Sequence, residues 1–177
     1  NDFHSQLIII YLGALMKKIL FIILIICSFS LEVFAKPPII DLETNTIEML
    51  NKRDDGGIMI FSVDIARIGV GESITWLPTD KMHNVEWKNG PDGAELPKKS
   101  KFSKEFTMEF TVPGIYVYVC TPHVAMGMMG IVIVGGDTSN KEAISNTRIM
   151  GKSKKRLKAL LRSSPIALQI NALITAP

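Results

Sequence analysis

The sequence predicts an all-β fold, a sandwich or closed barrel of about eight strands followed by two C-terminal α-helices, and three observations carry that expectation. Short β-branched and aromatic runs recur at close spacing along the middle of the chain. Clusters rich in Gly, Pro, Asn and Asp separate them. A helical period of apolar residues enters only after Asp137. With 47% hydrophobic residues the chain can bury a core without disulfides.

The first 35 residues differ in kind from the rest of the chain. Met16-Lys17-Lys18 forms a short basic start, Ile19 to Leu31 is an apolar run, and Val33-Phe34-Ala35 offers the small side chains of a cleavage site before Lys36. Residues 16–35 are therefore expected to be a secretory signal peptide. The run is shorter than the roughly 20 residues a spanning helix needs. Residues 1–15 precede what reads as the true start and are expected to be translated upstream sequence, His4 included.

From Lys36 the entry to the domain is irregular, with Pro37 and Pro38. Eight strands are then expected at Thr46–Asn51, Ile58–Ser62, Ile65–Ile68, Glu72–Leu77, His83–Trp87, Glu105–Thr111, Ile115–Cys120 and Met129–Val134. Turn signals fall at Asp54-Asp55-Gly56-Gly57, Gly69-Val70-Gly71, Lys88 to Gly93 and Pro113-Gly114. Such spacing without intervening helices argues antiparallel pairing. The domain is expected to span 36–136.

The segment 137–162 should hold two short helices packed on the barrel, one from Asn140 to about Arg148 capped by Thr138 or Ser139, the other from Lys152 to about Arg162. In the second, Leu157, Leu160 and Leu161 share a face while Lys154, Lys155, Arg156, Lys158 and Arg162 cover the rest. A basic helix can meet membranes or nucleic acid, but a leucine stripe more often docks on its own domain. No nucleic-acid partner and no stable membrane anchor are expected. Residues 163–177 are apolar and unpatterned, a tail to which the sequence assigns no role. The formal net charge is +3. It is unevenly placed: 10 bases and 13 acids lie between Lys36 and Gly136, against 8 bases and 2 acids from Asp137 onward.

Chemistry concentrates in Tyr116–Val134, YVYVCTPHVAMGMMGIVIV, where Cys120, His123 and Met128 fall on the connection between two strands. Past the signal region Cys120 is the single cysteine, and His83 and His123 are the histidines. A lone thiol in an oxidising compartment cannot close an internal disulfide. It can be an inert buried group, but its place three residues before a histidine favours metal ligation. Two imidazoles, one thiolate and a weak axial thioether suit copper in both oxidation states, the donor set of blue copper electron-transfer sites. Structural zinc wants four strong donors, usually several cysteines. Met126 and Met129 compete with Met128 for the axial place; Met128 is preferred by its spacing from Cys120, and strand alternation should turn Met129 the other way.

Enzymatic copper chemistry would require further histidines for a second centre, and no Ser/His/Asp or paired-carboxylate arrangement can be placed on one face. The chain is therefore expected not to be an enzyme. A copper storage or delivery protein is the alternative, and it would display open, exchangeable ligands.

CTPH followed by MGM at Cys120 to Met128, PTDKMHNVE at Pro78 to Glu86, MLNK at Met49 to Lys52, PDGAE at Pro91 to Glu95 and the two terminal helices resemble the pseudoazurins, a family of periplasmic type 1 copper proteins among the cupredoxins. The likeness covers about residues 46 to 162. It implies a cupredoxin-like Greek-key barrel binding one type 1 copper ion, Cu(I)/Cu(II), at one end through His83, Cys120, His123 and Met128. It further implies a monomeric, periplasmic one-electron carrier serving redox proteins such as nitrite reductase or a cytochrome. By the same resemblance His123 is the electron exit, Pro122, Val124 and Met126 its apolar collar, and Asn84 and Thr121, with Pro122, the groups that stiffen the ligand loops. Lys52, Lys81, Lys99 and Lys101 match a ring of lysines that steers acidic partners. The chain departs from the family at Val119, commonly lysine, and at Val124, commonly aromatic; both changes weaken that patch.

Overall fold

The computed structural model describes residues 16–18, 40–41 and 45–163. The signal-peptide, upstream and tail expectations fall almost wholly outside them. Among the described residues nine strands follow one another: β1 (Ile40–Asp41), β2 (Thr46–Lys52), β3 (Ile58–Phe61), β4 (Ile65–Ile68), β5 (Glu72–Leu77), β6 (Glu86–Asn89), β7 (Phe106–Phe110), β8 (Gly114–Val119) and β9 (Met129–Val134). A 3-10 helix at Thr121–Met126 joins β8 to β9, and two helices end the described chain, α1 (Lys141–Ser145) and α2 (Gly151–Arg162). The strands form two sheets, ordered β1-β4-β9-β8-β6 and β3-β2-β5-β7. This is an all-β cupredoxin fold with C-terminal helices.

The expected antiparallel pairing is corrected in part. β1 and β4, β4 and β9, and β2 and β5 run parallel, while β2 and β3, β5 and β7, β6 and β8, and β8 and β9 run antiparallel. Parallel neighbours cannot be joined by a tight hairpin. The Thr46–Asn51, Ile65–Ile68, Glu72–Leu77 and Met129–Val134 runs lie where the sequence placed them, whereas His83–Trp87 does not. Only from Glu86 does that run enter a ladder. The backbone of Val85 bonds to Ser100 and that of His83 to Ser103, so these residues form a pinned loop.

β8 and β9 are buried at every position, because each face of their sheet is covered. One face closes on the other sheet, with Ile47, Phe61, Ile74, Trp76 and Phe110 against Ala66, Tyr116, Tyr118 and Val132. Tyr118 sits among the rings of Phe61, Trp76 and Trp87, with centroids 4.8–5.4 Å away. The alternate residues, Ile115, Val117, Val119, Met129, Ile131 and Ile133, meet Ile144 of α1 and Leu157, Leu160 and Leu161 of α2. The leucine stripe is thus docked. Arg156 adds an ion pair to Asp64, a buried acid just before β4 that also bonds Arg53 at 3.1 Å. The first helix is shorter than the sequence suggested, Lys141–Ser145 in place of Asn140 to about Arg148, and Asn140 rather than Thr138 or Ser139 takes the cap position; its side-chain amide bonds both backbone groups of Ile115 at 2.9 Å.

Candidate metal centre

β8 delivers Cys120 at its end, and the chain then makes the 3-10 turn, with Pro122 in its first positions and Gly127 in the left-handed region closing it at φ 109°. This turn laces the donor residues together through their backbones. Cys120 donates its N–H to Met128 O at 3.0 Å, Met128 to His123 O at 3.2 Å, and His123 to Cys120 O at 3.1 Å. Met128 therefore cannot drift relative to Cys120 and His123. Its side chain is fully buried in the cluster between the sheets that holds Cys120, while Met129 joins the opposite cluster under the helices, as the strand alternation predicts.

His83 arrives on the loop before β6. Ser103 N–H donates to His83 O at 2.9 Å, and Met82 N–H to Ser103 Oγ at 2.8 Å. Met82 and Ser103 hold left-handed conformations, φ 67° and 55°, uncommon for side chains other than glycine. The fold thus accepts some backbone strain beside the buried imidazole.

Nδ1 of His83, Nδ1 of His123 and Sγ of Cys120 converge, at 3.1 Å between the two nitrogens and 3.6 and 3.4 Å from sulfur to His83 and His123. Among the described residues these three form a group able to hold a metal ion. The point equidistant from all three atoms lies about 2 Å from each, close to an ordinary metal–imidazole bond length. The nitrogens and the sulfur thus fit around a single small ion with little movement. A softer donor than oxygen at two kinds of atom, with a buried thioether behind, is chemistry suited to copper.

The tautomer is fixed from outside. His83 Nε2–H donates to the side-chain carbonyl of Asn51 at 3.0 Å, leaving the Nδ1 lone pair to face the centre. Asn51 is held in turn by its own N–H on Asp80 Oδ2 at 2.6 Å. Sequence reasoning did not single out Asn51; its place at the end of β2, in the MLNK segment, was the available signal.

Asn84 and Thr121 do meet. Asn84 Nδ2 donates to Thr121 Oγ1 at 3.0 Å, and Thr121 N–H to Asn84 Oδ1 at 2.9 Å, a reciprocal pair that ties the His83 loop to the residue after Cys120. Thr121 Oγ1 also donates to Glu86 Oε2 at 2.8 Å, and Lys88 Nζ bonds the other oxygen at 2.7 Å. The lysine and the hydroxyl hold the Glu86 carboxyl below its ordinary range, against the opposing effect of burial.

Burial favours the neutral form of each of the three groups. Burial pushes both imidazoles below their usual pKa; His83 is lowered further by His123, while Asp80 works the other way. Burial pushes the Cys120 thiol up, opposed by backbone N–H groups of Asn84 and His123 directed at sulfur. Those two N–H groups are ready donors to a thiolate.

His83, Cys120 and Met128 are fully buried, whereas His123 is partly exposed. Pro122 and Met126 beside it are exposed, and Val124 is half-buried against the core under α2. Lys52, Lys81, Lys99 and Lys101 are all exposed. Val119 is wholly buried under the helices, so at this position the chain presents no surface group at all.

The sequence model of the copper-binding proteins of the plastocyanin/azurin family matches residues 47–135. A putative pseudoazurin of Rhizobium leguminosarum bv. viciae is 42% identical over 116 residues, covering 64% of this chain and 74% of the relative. The pseudoazurin of Paracoccus pantotrophus is 39% identical over 120 residues, 67% of this chain and 81% of its own length. Among solved structures, the pseudoazurin of Methylobacterium extorquens AM1 superposes with a TM-score of 0.61 at 35% identity, covering 72% of this chain and 98% of that one. That of Sinorhizobium meliloti gives the same score at 37% identity, covering 68% and 93%.

Proposed function

The chain belongs to the plastocyanin/azurin family of copper-binding proteins, among its pseudoazurins, and from that premise we propose that it is a mobile periplasmic one-electron carrier delivering to a respiratory acceptor such as nitrite reductase. Its cofactor is one type 1 copper ion, and electron transfer is the chemistry the family supports. The observation that carries the reading is the convergence of two imidazole nitrogens and the Cys120 sulfur within 3.6 Å of one another, with a single imidazole reaching the surface.

His83, Cys120, His123 and Met128 are assigned as the ligands. Copper, when bound, supplies two oxidation states whose preferred donors this mixed set serves about equally. The protein's own part is rigidity. Asn51 fixes the His83 ring, the Asn84–Thr121 pair locks the two loops together, and the backbone bonds among Cys120, His123 and Met128 hold the third side. Ligands that cannot rearrange keep the barrier to electron exchange low. His123 offers the ring edge through which an electron leaves, and Pro122 and Met126 give a partner an apolar rim for excluding water. Lys52, Lys81, Lys99 and Lys101 steer an acidic partner toward that end.

A storage or delivery role calls for open donors, and three of the four here are fully buried. Residues 36–136 serve as the electron-transfer domain and 137–162 as its packed helices, following a signal peptide at 16–35. Among the described residues no helix is long and apolar enough to cross a membrane. The test is to load the purified protein with copper. An intense visible thiolate-to-copper band that vanishes on reduction is expected, and a colourless complex overturns the proposal. Stopped-flow reduction of nitrite reductases and cytochromes across a salt series then identifies the partner; a salt-insensitive rate would remove the lysines from steering.

A further inference from the structure

Away from the metal centre, α1, α2 and the segment between them enclose a groove of ≈ 810 Å³. Lys141, Arg148, Lys154, Lys158 and Arg162 line it, against the single carboxylate of Glu142. Among the described residues none of these five cations forms an ion pair. Ser139, Ser145 and Thr147 add hydroxyls, and Leu161 gives the floor an apolar element. Three other bases are paired, Arg53 and Arg156 with Asp64 and Lys88 with Glu86, whereas the five in the groove lie together without a partner carboxylate among the described residues. The groove is thus a concentration of unmatched positive charge.

We propose that this groove and the exposed basic side of α2 form a docking surface for anionic phospholipid, holding the carrier reversibly at a membrane face. Two features select a lipid surface as the occupant. The first is charge complementarity, since phosphodiester headgroups are satisfied by clustered lysine and arginine with hydroxyls beside them. The second is where the chain goes next: 163–177 directly follows α2 and contains no charged residue, but has Ile166, Leu168, Ile170, Leu173 and Ile174. A basic surface leading into an uncharged apolar run matches the two-part chemistry of an interface, headgroups and then acyl boundary. A soluble acidic partner would use the charge and leave the apolar continuation without a role.

The geometry keeps this compatible with electron transfer. α2 begins against the copper-end turn, where Ser153 Oγ donates to Val124 O at 2.6 Å and Gly151 lies against Ala125 with no room for a side chain. From Ser153 to Arg162 the helix advances about 14 Å along its axis. Docking centred on the Arg162 end of the helix therefore leaves the His123 edge open to a redox partner.

The experiment uses the full copper-loaded protein and co-sedimentation with vesicles of phosphatidylcholine, with and without phosphatidylglycerol. Binding to the anionic vesicles alone is expected, weakened by salt. Lys154→Glu with Lys158→Glu should weaken it at least about tenfold and leave the visible copper band unchanged. Lys98→Glu with Lys104→Glu changes net charge equally at exposed sites outside the groove and should retain most of the binding. Equal loss in both double variants would assign the effect to net charge and overturn the groove. No binding to anionic vesicles overturns it too. So does saturable binding of inorganic phosphate without vesicle binding, which would make this a small-anion site. If the groove variant slows electron transfer to an acidic protein with no vesicle binding, the surface is a protein interface instead.

Discussion

The side-chain carbonyl of Asn51 stands 3.0 Å from Nε2 of His83 and dictates which nitrogen of that ring faces the metal centre. The bond crosses from the end of β2 to the loop before β6, joining two elements that are remote in sequence.

Asn51→Ala removes the acceptor and frees the ring to rotate or change tautomer. Copper affinity should fall about 10- to 100-fold, measured by competition with a chelator, while thermal stability of the metal-free protein changes little. Unchanged affinity would mean the loop bonds from Ser103 alone suffice to set the ring.

Cys120→Ser should abolish the visible band outright. Met128→Gln should retain copper and shift the reduction potential, because an axial donor tunes more than it binds. Voltammetry and metal analysis on both variants check this, and equal copper loss in the two would contradict the assignment of Met128.

Metal-free protein should lose stability as pH falls below 6.5. The two imidazoles are held below their ordinary 6.5 in the folded state, so the unfolded chain takes up more protons in the window beneath that value. Stability is whole above pH 6.5 and declines as pH drops toward the folded values. Thermal melts between pH 8 and 5.5 should show that slope for the metal-free form and a flatter profile with copper, whose ligation excludes the protons. A flat metal-free profile would show that burial does not hold the rings neutral. Glu86 acts only in a lower window, its support being lost as pH falls through its depressed pKa.

Gly130→Ala should destabilise by about 1–3 kcal/mol through overpacking. A Cβ there would lie 2.6 Å from Tyr118 Cζ, and Tyr118 is locked among Phe61, Trp76 and Trp87. Denaturant unfolding measures the loss. The double change Gly130→Ala with Tyr118→Phe should recover part of it, since the hydroxyl is part of the collision.

The donors were legible in the sequence because they are rare residue types at short spacing, and most strands because β-branched runs alternate without helical period. What escaped the sequence depended on partners far along the chain. His83–Val85 looks like the start of a strand, yet its backbone bonds go to Ser100 and Ser103, which no local pattern announces. β1, at Ile40–Asp41, exists through its pairing with β4. The role of Asn51 arises from a contact between β2 and the loop before β6, and the burial of Val119 from helices that come much later in the sequence. The parallel pairs were hidden for the same reason: a strand's composition says little about its neighbour's direction.

Those parallel ladders also make the metal site depend on the whole fold. β2 pairs with β5 and β4 with β9 across long stretches of chain, and the loops bearing His83 and Cys120 face each other on that frame. Pairings so distant in sequence are slow to form, commonly on the millisecond-to-second scale. The donor set is thus complete only in the folded chain, where His83 Nδ1 and Cys120 Sγ stand 3.6 Å apart.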